Sequence, residues 1–223
     1  MILLELSLDD IVRALVPAIY ETLIMVGISS VATVVLGLPL GVVLFVTQRG
    51  GIVANPVLSI TLSTIANITR SIPYAILMLS LIPFTRWLTG SSVGPIAACV
   101  SLTIGAVPFF ARLVESGLRD VQPGKVDAAH AMGSTRMQTV TKVLLPEAAP
   151  SLIASVTTTV VTLVGYSAMA GLIGGGGLGR LAYNYGYQRF ETSVQLITIV
   201  ILVGMVQLIQ MLGDVVIRRV DHR

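Results

Sequence analysis

Four stretches of this chain, at 22–46, 92–111, 148–170 and 192–213, run for twenty residues or more without a charged side chain. A helix needs about 20 apolar residues to cross a bilayer, so each predicts a membrane span. Between the first two lies 51–85, with Arg70 as its one charge. As a single helix this stretch would be about 50 Å long at 1.5 Å per residue, well beyond a hydrocarbon core of about 30 Å. It therefore predicts a long or kinked element that crosses once, over 57–85, and leaves its first part near one surface, with bends at Pro73 and Pro83. The pattern gives an all-α, polytopic membrane protein with five transmembrane helices in one domain over 1–223. One clearly polar run stands out against it: 126–146, with Asp127, His130, Arg136 and Lys142 between apolar segments. A chain this apolar keeps its polar connections short, so a long one predicts a docking surface.

Composition strengthens the membrane reading. Only 11% of residues are charged and the mean hydropathy is +0.90, against about 25% charged in soluble domains. The net charge of +3 does not come from a basic patch with interleaved aromatics, which excludes a nucleic-acid partner. The single cysteine, Cys99, rules out an intrachain disulfide. The start of the chain carries Glu5, Asp9 and Asp10 and lacks the basic opening and small-residue cleavage site of a secretory signal.

Basic residues favour the cytoplasmic side. Five crossings put the two ends on opposite sides. With the C-terminus inside, Arg49, Arg112, Arg119, Lys125, Arg136, Lys142, Arg218, Arg219 and Arg223 lie in the cytoplasm, and Arg13, Arg86, Arg180 and Arg189 lie outside. This bias places the N-terminus outside and the polar run in the cytoplasm.

Within 118–146 the residues read as short helices separated by turns. Pro123-Gly124 is a turn signal, and Asp127 near a helix start suits the positive end of the dipole. Ala128, Ala129 and Ala131 are small enough to let another surface approach. Gly133, then Ser134 and Thr135, reads as a helix stop followed by a new N-cap. Val140, Val143 and Leu144 form an apolar face, and Pro146 suits the first turn of the next span. From these residues alone, an amphipathic hairpin resting on the membrane and a docking element are both open.

The spacing carries a resemblance. Asp127-Ala128-Ala129, three residues, Gly133, nine residues, then Val143-Leu144-Leu145-Pro146 resembles the EAA loop of ABC-importer permeases, with Asp for the family's Glu and Val for its Ile. The resemblance implies a coupling helix seated in a cleft of a cytoplasmic ATPase, with Asp127, Ala128, Ala129, Gly133, Leu145 and Pro146 as its marked positions. Arg70-Ser71-Ile72-Pro73, Ile82-Pro83-Phe84-Thr85-Arg86, Val164-Gly165-Tyr166-Ser167-Ala168-Met169 and Tyr185-Gly186-Tyr187 are similar to the methionine-importer permease subfamily, which handles D- and L-methionine. That likeness covers nearly the whole chain. It implies a bacterial inner-membrane permease working as a homodimer with two ATPase subunits and an extracytoplasmic methionine-binding lipoprotein, surrounded by membrane lipid. The run Gly174-Gly175-Gly176-Gly177 is richer in glycine than the subfamily pattern.

Other chemistry is excluded or weak. No G-x-x-x-x-G-K-[ST] phosphate loop occurs, so ATP is expected to be hydrolysed by another chain; with the resemblance, this implies a transport subunit that is not itself an enzyme and holds no cofactor. Gly174-x-Gly176-x-x-Gly179 matches a dinucleotide fingerprint in letters but follows an apolar helix in place of a strand; it reads as a flexible turn. His130 and His222 are far apart and no cysteine cluster exists, so no metal site is expected. Glu115 and Asp120 read as solvated charges at the inner end of the third span. Arg70 either sits near the headgroups or lines a wet cavity, because a charge deep in lipid costs several kcal/mol. Gly37-x-x-x-Gly41 fits close helix packing. Tyr166, Ser167 and Met169 fit ordinary packing or a path for a thioether side chain, and the resemblance favours the path.

These features predict the permease subunit of an ATP-driven ABC importer that passes methionine by alternating access. A permease of the same build for glycine betaine or a phosphonate, or a membrane scaffold with no transport role, are the alternatives.

Overall fold

The structure, a computed structural model, describes residues 8–220, with side chains from residue 11. The expectations placed on Glu5, His222, Arg223 and the side chains of Asp9 and Asp10 lie outside them. Every regular element among the described residues is helical.

Among the described residues, four helices are long and apolar enough to cross a membrane: α1 (Leu8–Val46), α5 (Pro95–Arg119), α9 (Ala149–Ala170, continued by a π-helical turn over Gly171–Gly175) and α11 (Thr192–Val220). Between α1 and α5 the chain forms α2 (Pro56–Ser71), α3 (Tyr74–Ser80) and α4 (Ile82–Thr89). Both predicted prolines mark breaks. Ile72 is extended at φ −81° and ψ 123°, the conformation forced on a residue before proline. Pro83 opens α4, where its missing N–H leaves no hydrogen bond unmade. α4 stops at Gly90, φ +75°.

Helix bounds differ from the charge-free windows for physical reasons. α1 starts well before residue 22, because Ile11, Leu15 and Ala18 recur on one face and are buried against Leu178, Leu181 and Val194. α5 continues past residue 111, because its added charges, Arg112, Glu115 and Arg119, pair with one another at helical spacing.

The chain groups into two compact units. Met1–Val31, Pro73–Ile104 and Val160–Ile209 form the first; Ala32–Ile72, Gly105–Thr159 and Gln210–Arg223 form the second. In the first, the cluster around Leu15 and Leu178 packs α1 on α10 (Gly177–Leu181) and α11. In the second, Phe110, Val114 and Leu118 of α5 pack on Val34, Leu38 and Val42 of α1 and on Leu144 and Ala148. The Gly37/Gly41 pair makes that approach possible. A Cβ on Gly41 would stand 2.6 Å from the Ala111 carbonyl oxygen, and one on Gly37 would stand 2.8 Å from Phe110 Cδ1.

Much of the apolar surface stays uncovered. The most apolar windows of α1 and α11 both have a mean hydropathy of 2.3, yet only 28% and 11% of their residues are buried within the chain. Such faces suit lipid, where helices associate through close packing and hydrogen bonds.

Candidate functional site

The polar run folds into a capped hairpin inside the second unit. Pro123 and Gly124 are the first two residues of α6 (Pro123–Ala131), so the expected turn is a helix start, with proline where its missing N–H is harmless. Asp127 falls one turn in, on the exposed side. Gly133, at φ +81°, ends α6. Its N–H donates to His130 O at 2.9 Å, and the next N–H, from Ser134, donates to Ala129 O at 3.0 Å. This paired arrangement is the Schellman stop. Thr135 then caps α7 (Arg136–Gln138): its Oγ1 accepts the Gln138 N–H at 3.3 Å, while Gln138 Oε1 accepts the Thr135 N–H at 2.9 Å. A π-helical turn over Thr139–Leu144 leads into α8 (Leu145–Glu147) and on to α9.

One side of the hairpin is anchored. Ala129, Thr139 and Leu144 are buried, and Leu144, Leu145, Val126 and Val140 join the core built on Phe110, Val114 and Leu118. Lys125 Nζ donates to Glu147 Oε2, closing the hairpin's base.

A second polar cluster lies in the same unit. Glu115 is buried, 4% exposed. Its Oε1 accepts from Gln48 Nε2 at 2.5 Å and from Arg119 Nη2 at 2.9 Å, and its Oε2 accepts from Arg112 Nη1 at 2.5 Å. Arg112 Nη2 also donates to Asn67 Oδ1 at 2.9 Å. The expected solvated charge is therefore a buried carboxylate with both oxygens satisfied, as a buried ion requires. Asp120 is exposed as expected.

The other side of the hairpin faces outward. Asp127, Ala128, His130, Ala131, Gly133 and Arg136 are exposed, and Met132 and Met137 are 80% and 72% exposed. Two adaptable, apolar side chains displayed beside small and charged ones make a surface suited to a protein partner. Of the six marked positions, Asp127, Ala128, Gly133 and Pro146 are exposed, Ala129 is buried, and Leu145 is half-buried.

The candidate pathway residues divide between the units. Tyr166, Ser167 and Met169 occupy one stretch of α9 in the first unit, and Arg70 lies in the second. Tyr166 stacks on Tyr74 of α3, ring centroids 4.4 Å apart and planes within 2°. The Tyr74 hydroxyl shares a hydrogen bond with Ser101 Oγ at 3.2 Å. Ser167 is 1% exposed, its hydroxyl donating to Val164 O at 2.7 Å, so it serves its own helix. Met169 is 38% exposed. Arg70 is exposed in the last turn of α2, a favourable place for a cation, with its guanidinium carbon 6.0 Å from the Phe109 ring centre.

The glycine run is a tied junction, which corrects the reading of a flexible turn. Gly174, Gly176 and Gly177 have φ of +100°, +90° and +72°. Glu21 Oε2 accepts the Gly177 N–H at 2.6 Å, Thr22 Oγ1 accepts the Leu178 N–H at 2.9 Å, and Gly174 O accepts the Gly94 N–H at 2.9 Å. The N–H groups that a phosphate would need are taken by side chains of α1. Glu21, Thr22, Gln48, Tyr74, Met132 and Met137 were all missed in the sequence. Only Glu21 carried a signal: a lone carboxylate at the mouth of a span.

Long helices with uncovered apolar faces, joined through a capped hairpin with one exposed face, define a polytopic membrane protein. The chain belongs to the family described as binding-protein-dependent transport system inner membrane component, whose model matches residues 37–223. It is 49% identical over 209 residues to the "Probable D-methionine transport system permease protein MetI" of Vibrio cholerae, covering 94% of this chain and 93% of that one. The "Methionine import system permease protein MetP" of Bacillus subtilis is 43% identical over 206 residues, covering 92% and 93%. Among solved structures, an inward-facing crystal form of the MetNI methionine ABC transporter matches with a TM-score of 0.95 at 48% identity, covering 97% of this chain and all of that one. An amino acid ABC transporter crystallised with histidines shares the fold, with a TM-score of 0.78 at 21% identity.

Proposed function

We propose that the chain is the permease subunit of an ATP-driven importer of methionine, working as a homodimer beside two ATPase subunits and an extracytoplasmic binding lipoprotein. The observation that carries the reading is the outward face of the hairpin, with Met132 and Met137 beside Ala128 and Asp127, on a chain about half identical to methionine permeases. α2, α3 and α4 together supply a fifth crossing, so the N-terminus faces out and the hairpin and C-terminus face the cytoplasm, in keeping with the basic residues. The ATPase grips the face built on Asp127, Ala128 and Gly133. Ala129 and Leu145 set that face on the core, Pro146 starts the helical turn that leads on to α9, and closure of the ATPases swings the spans between inward-open and outward-open states. Tyr166 and Met169 line the path; Ser167 and Arg70 support it from outside the contact with cargo. Uptake of labelled methionine by cells carrying the whole system tests this. Competition by unlabelled methionine but not by glycine betaine or a phosphonate is expected, and failure of methionine to compete would sink the cargo assignment.

A further inference from the structure

Glu115 belongs to none of the elements that touch cargo or partner on the reading above, yet its surroundings are built with care. It is a buried carboxylate with three donors from two places in the chain: Gln48, just past the end of α1, and Arg112 and Arg119 of α5. Arg112 carries the link on to Asn67 of α2. The turn that holds Gln48 is itself fixed, with the Gly51 N–H donating to Gln48 O at 2.9 Å and the Asn55 N–H to Thr47 O at 3.0 Å. α5 runs directly into the hairpin, and Leu118 and Val121 share a core with Leu144 and Ala148. Displacement of the hairpin is thus delivered to the end of α5 that bears Glu115, through both the chain and this shared core.

Apolar contacts such as those of Phe110 on α1 can slide by fractions of an ångström with little loss. Charge-assisted hydrogen bonds are short and directional and do not. Replacing the whole cluster by apolar side chains of similar volume would have been close to neutral, since a buried ion pair is on its own weak support for stability. We infer that Glu115 is a positioning residue for energy coupling: it locks the α1–α2 connection, α2 and α5 into one body, so that motion of the hairpin is passed on to the spans. The inference rests on the coupling role proposed for the hairpin.

The test uses the whole transporter, with its ATPase and binding protein, in liposomes, and reads ATP hydrolysed per methionine imported. Glu115→Gln keeps size and one acceptor but removes the charge; Gln48→Leu removes one bond and leaves the carboxylate with its arginines. Both are expected to raise the ratio by about fivefold or more, the scale of a typical coupling free energy, with ATP hydrolysis retained. The double variant is expected to be no worse than Glu115→Gln, because both cut the same link. Parallel loss of hydrolysis and uptake at a constant ratio, or an unchanged ratio in Gln48→Leu, would overturn the inference; Gln48→Leu decides the matter if Glu115→Gln does not assemble. A wild-type complex that hydrolyses ATP but imports no methionine would instead count against the parent reading of cargo and coupling.

Discussion

The carboxylate of Glu21 accepts the backbone N–H of Gly177 at 2.6 Å, joining residues 156 positions apart. The bond fixes a turn that only glycine can make. A Cβ on Gly177 would stand 2.6 Å from Thr22 Oγ1 and 2.7 Å from Met25 Cε, at a φ of +72°. Glu21→Ala leaves the Gly177 N–H without its acceptor, a cost of about 1–3 kcal/mol and a fall in Tm on the order of 5 °C. Glu21→Gln keeps an acceptor oxygen and is expected to fall in between. Gly177→Ala is expected to fall furthest, since it adds strain and a clash. Thermal unfolding of the detergent-solubilised protein measures the order; an unchanged Tm in Glu21→Ala would mean that the turn holds itself.

Two glycines of α1 are expected to behave in opposite ways. Gly27 has nothing within 4 Å of its would-be Cβ, so Gly27→Ala gains helix propensity of up to about 1 kcal/mol. Gly41 faces backbone, with the Ala111 carbonyl oxygen at 2.6 Å, which cannot rotate out of the way. Gly41→Ala is expected to destabilise by about 1–3 kcal/mol. Denaturation of the two variants under one condition compares them, and equal effects would argue that α1 does not pack on α5 through this glycine.

In the hairpin, Gly133→Val strains a position at φ +81° with no clash to relieve, because nothing lies within 4 Å of it. A β-branched residue there costs at least the 1–2 kcal/mol of the left-handed region, as an order of magnitude, and re-aims α6 against α7. Asp127→Lys changes an exposed charge without touching the core. Both are expected to abolish uptake while the chain still inserts into the membrane. Retained transport by both would remove the hairpin from the coupling path.

How much of this was legible in the sequence depended on whether a feature was local. The four long helices, the breaks at Pro73 and Pro83, and the stop at Gly133 with its new cap at Thr135 all follow from properties of adjacent residues: hydropathy, a missing N–H, a positive φ, a short hydroxyl side chain. The i, i+4 and i+7 face of Ile11, Leu15 and Ala18 was also present in the letters, though masked by the charges beside it. What escaped was what depends on a distant partner. Glu115 looks like any interfacial carboxylate until Gln48 comes within 2.5 Å, and the glycine run looks loose until Glu21 and Thr22 close on it. The marked positions were legible as spacing, whereas the direction of each side chain was not: Ala128 and Ala129 are neighbours in sequence, and only the first faces outward.

Met132 and Met137 are the largest apolar side chains that the hairpin displays, at 80% and 72% exposed, one just before the Gly133 stop and one just inside the capped α7. Because neither is buried within the chain, a change to glutamate leaves the core and both caps intact, and the folded chain is expected to keep its Tm. On the docking reading, each methionine is covered when the ATPase binds, and a charge there must either stay solvated or be desolvated without a partner. Loss of a contact that matters at an interface costs about 1 kcal/mol or more, so each single variant should bind at least about fivefold more weakly and the pair should fail to co-purify. Pull-down of the ATPase with tagged permease, scored beside the Tm of the permease alone, separates docking from folding. Full recovery of the ATPase with Met132→Glu and Met137→Glu combined would place the docking face elsewhere on the chain.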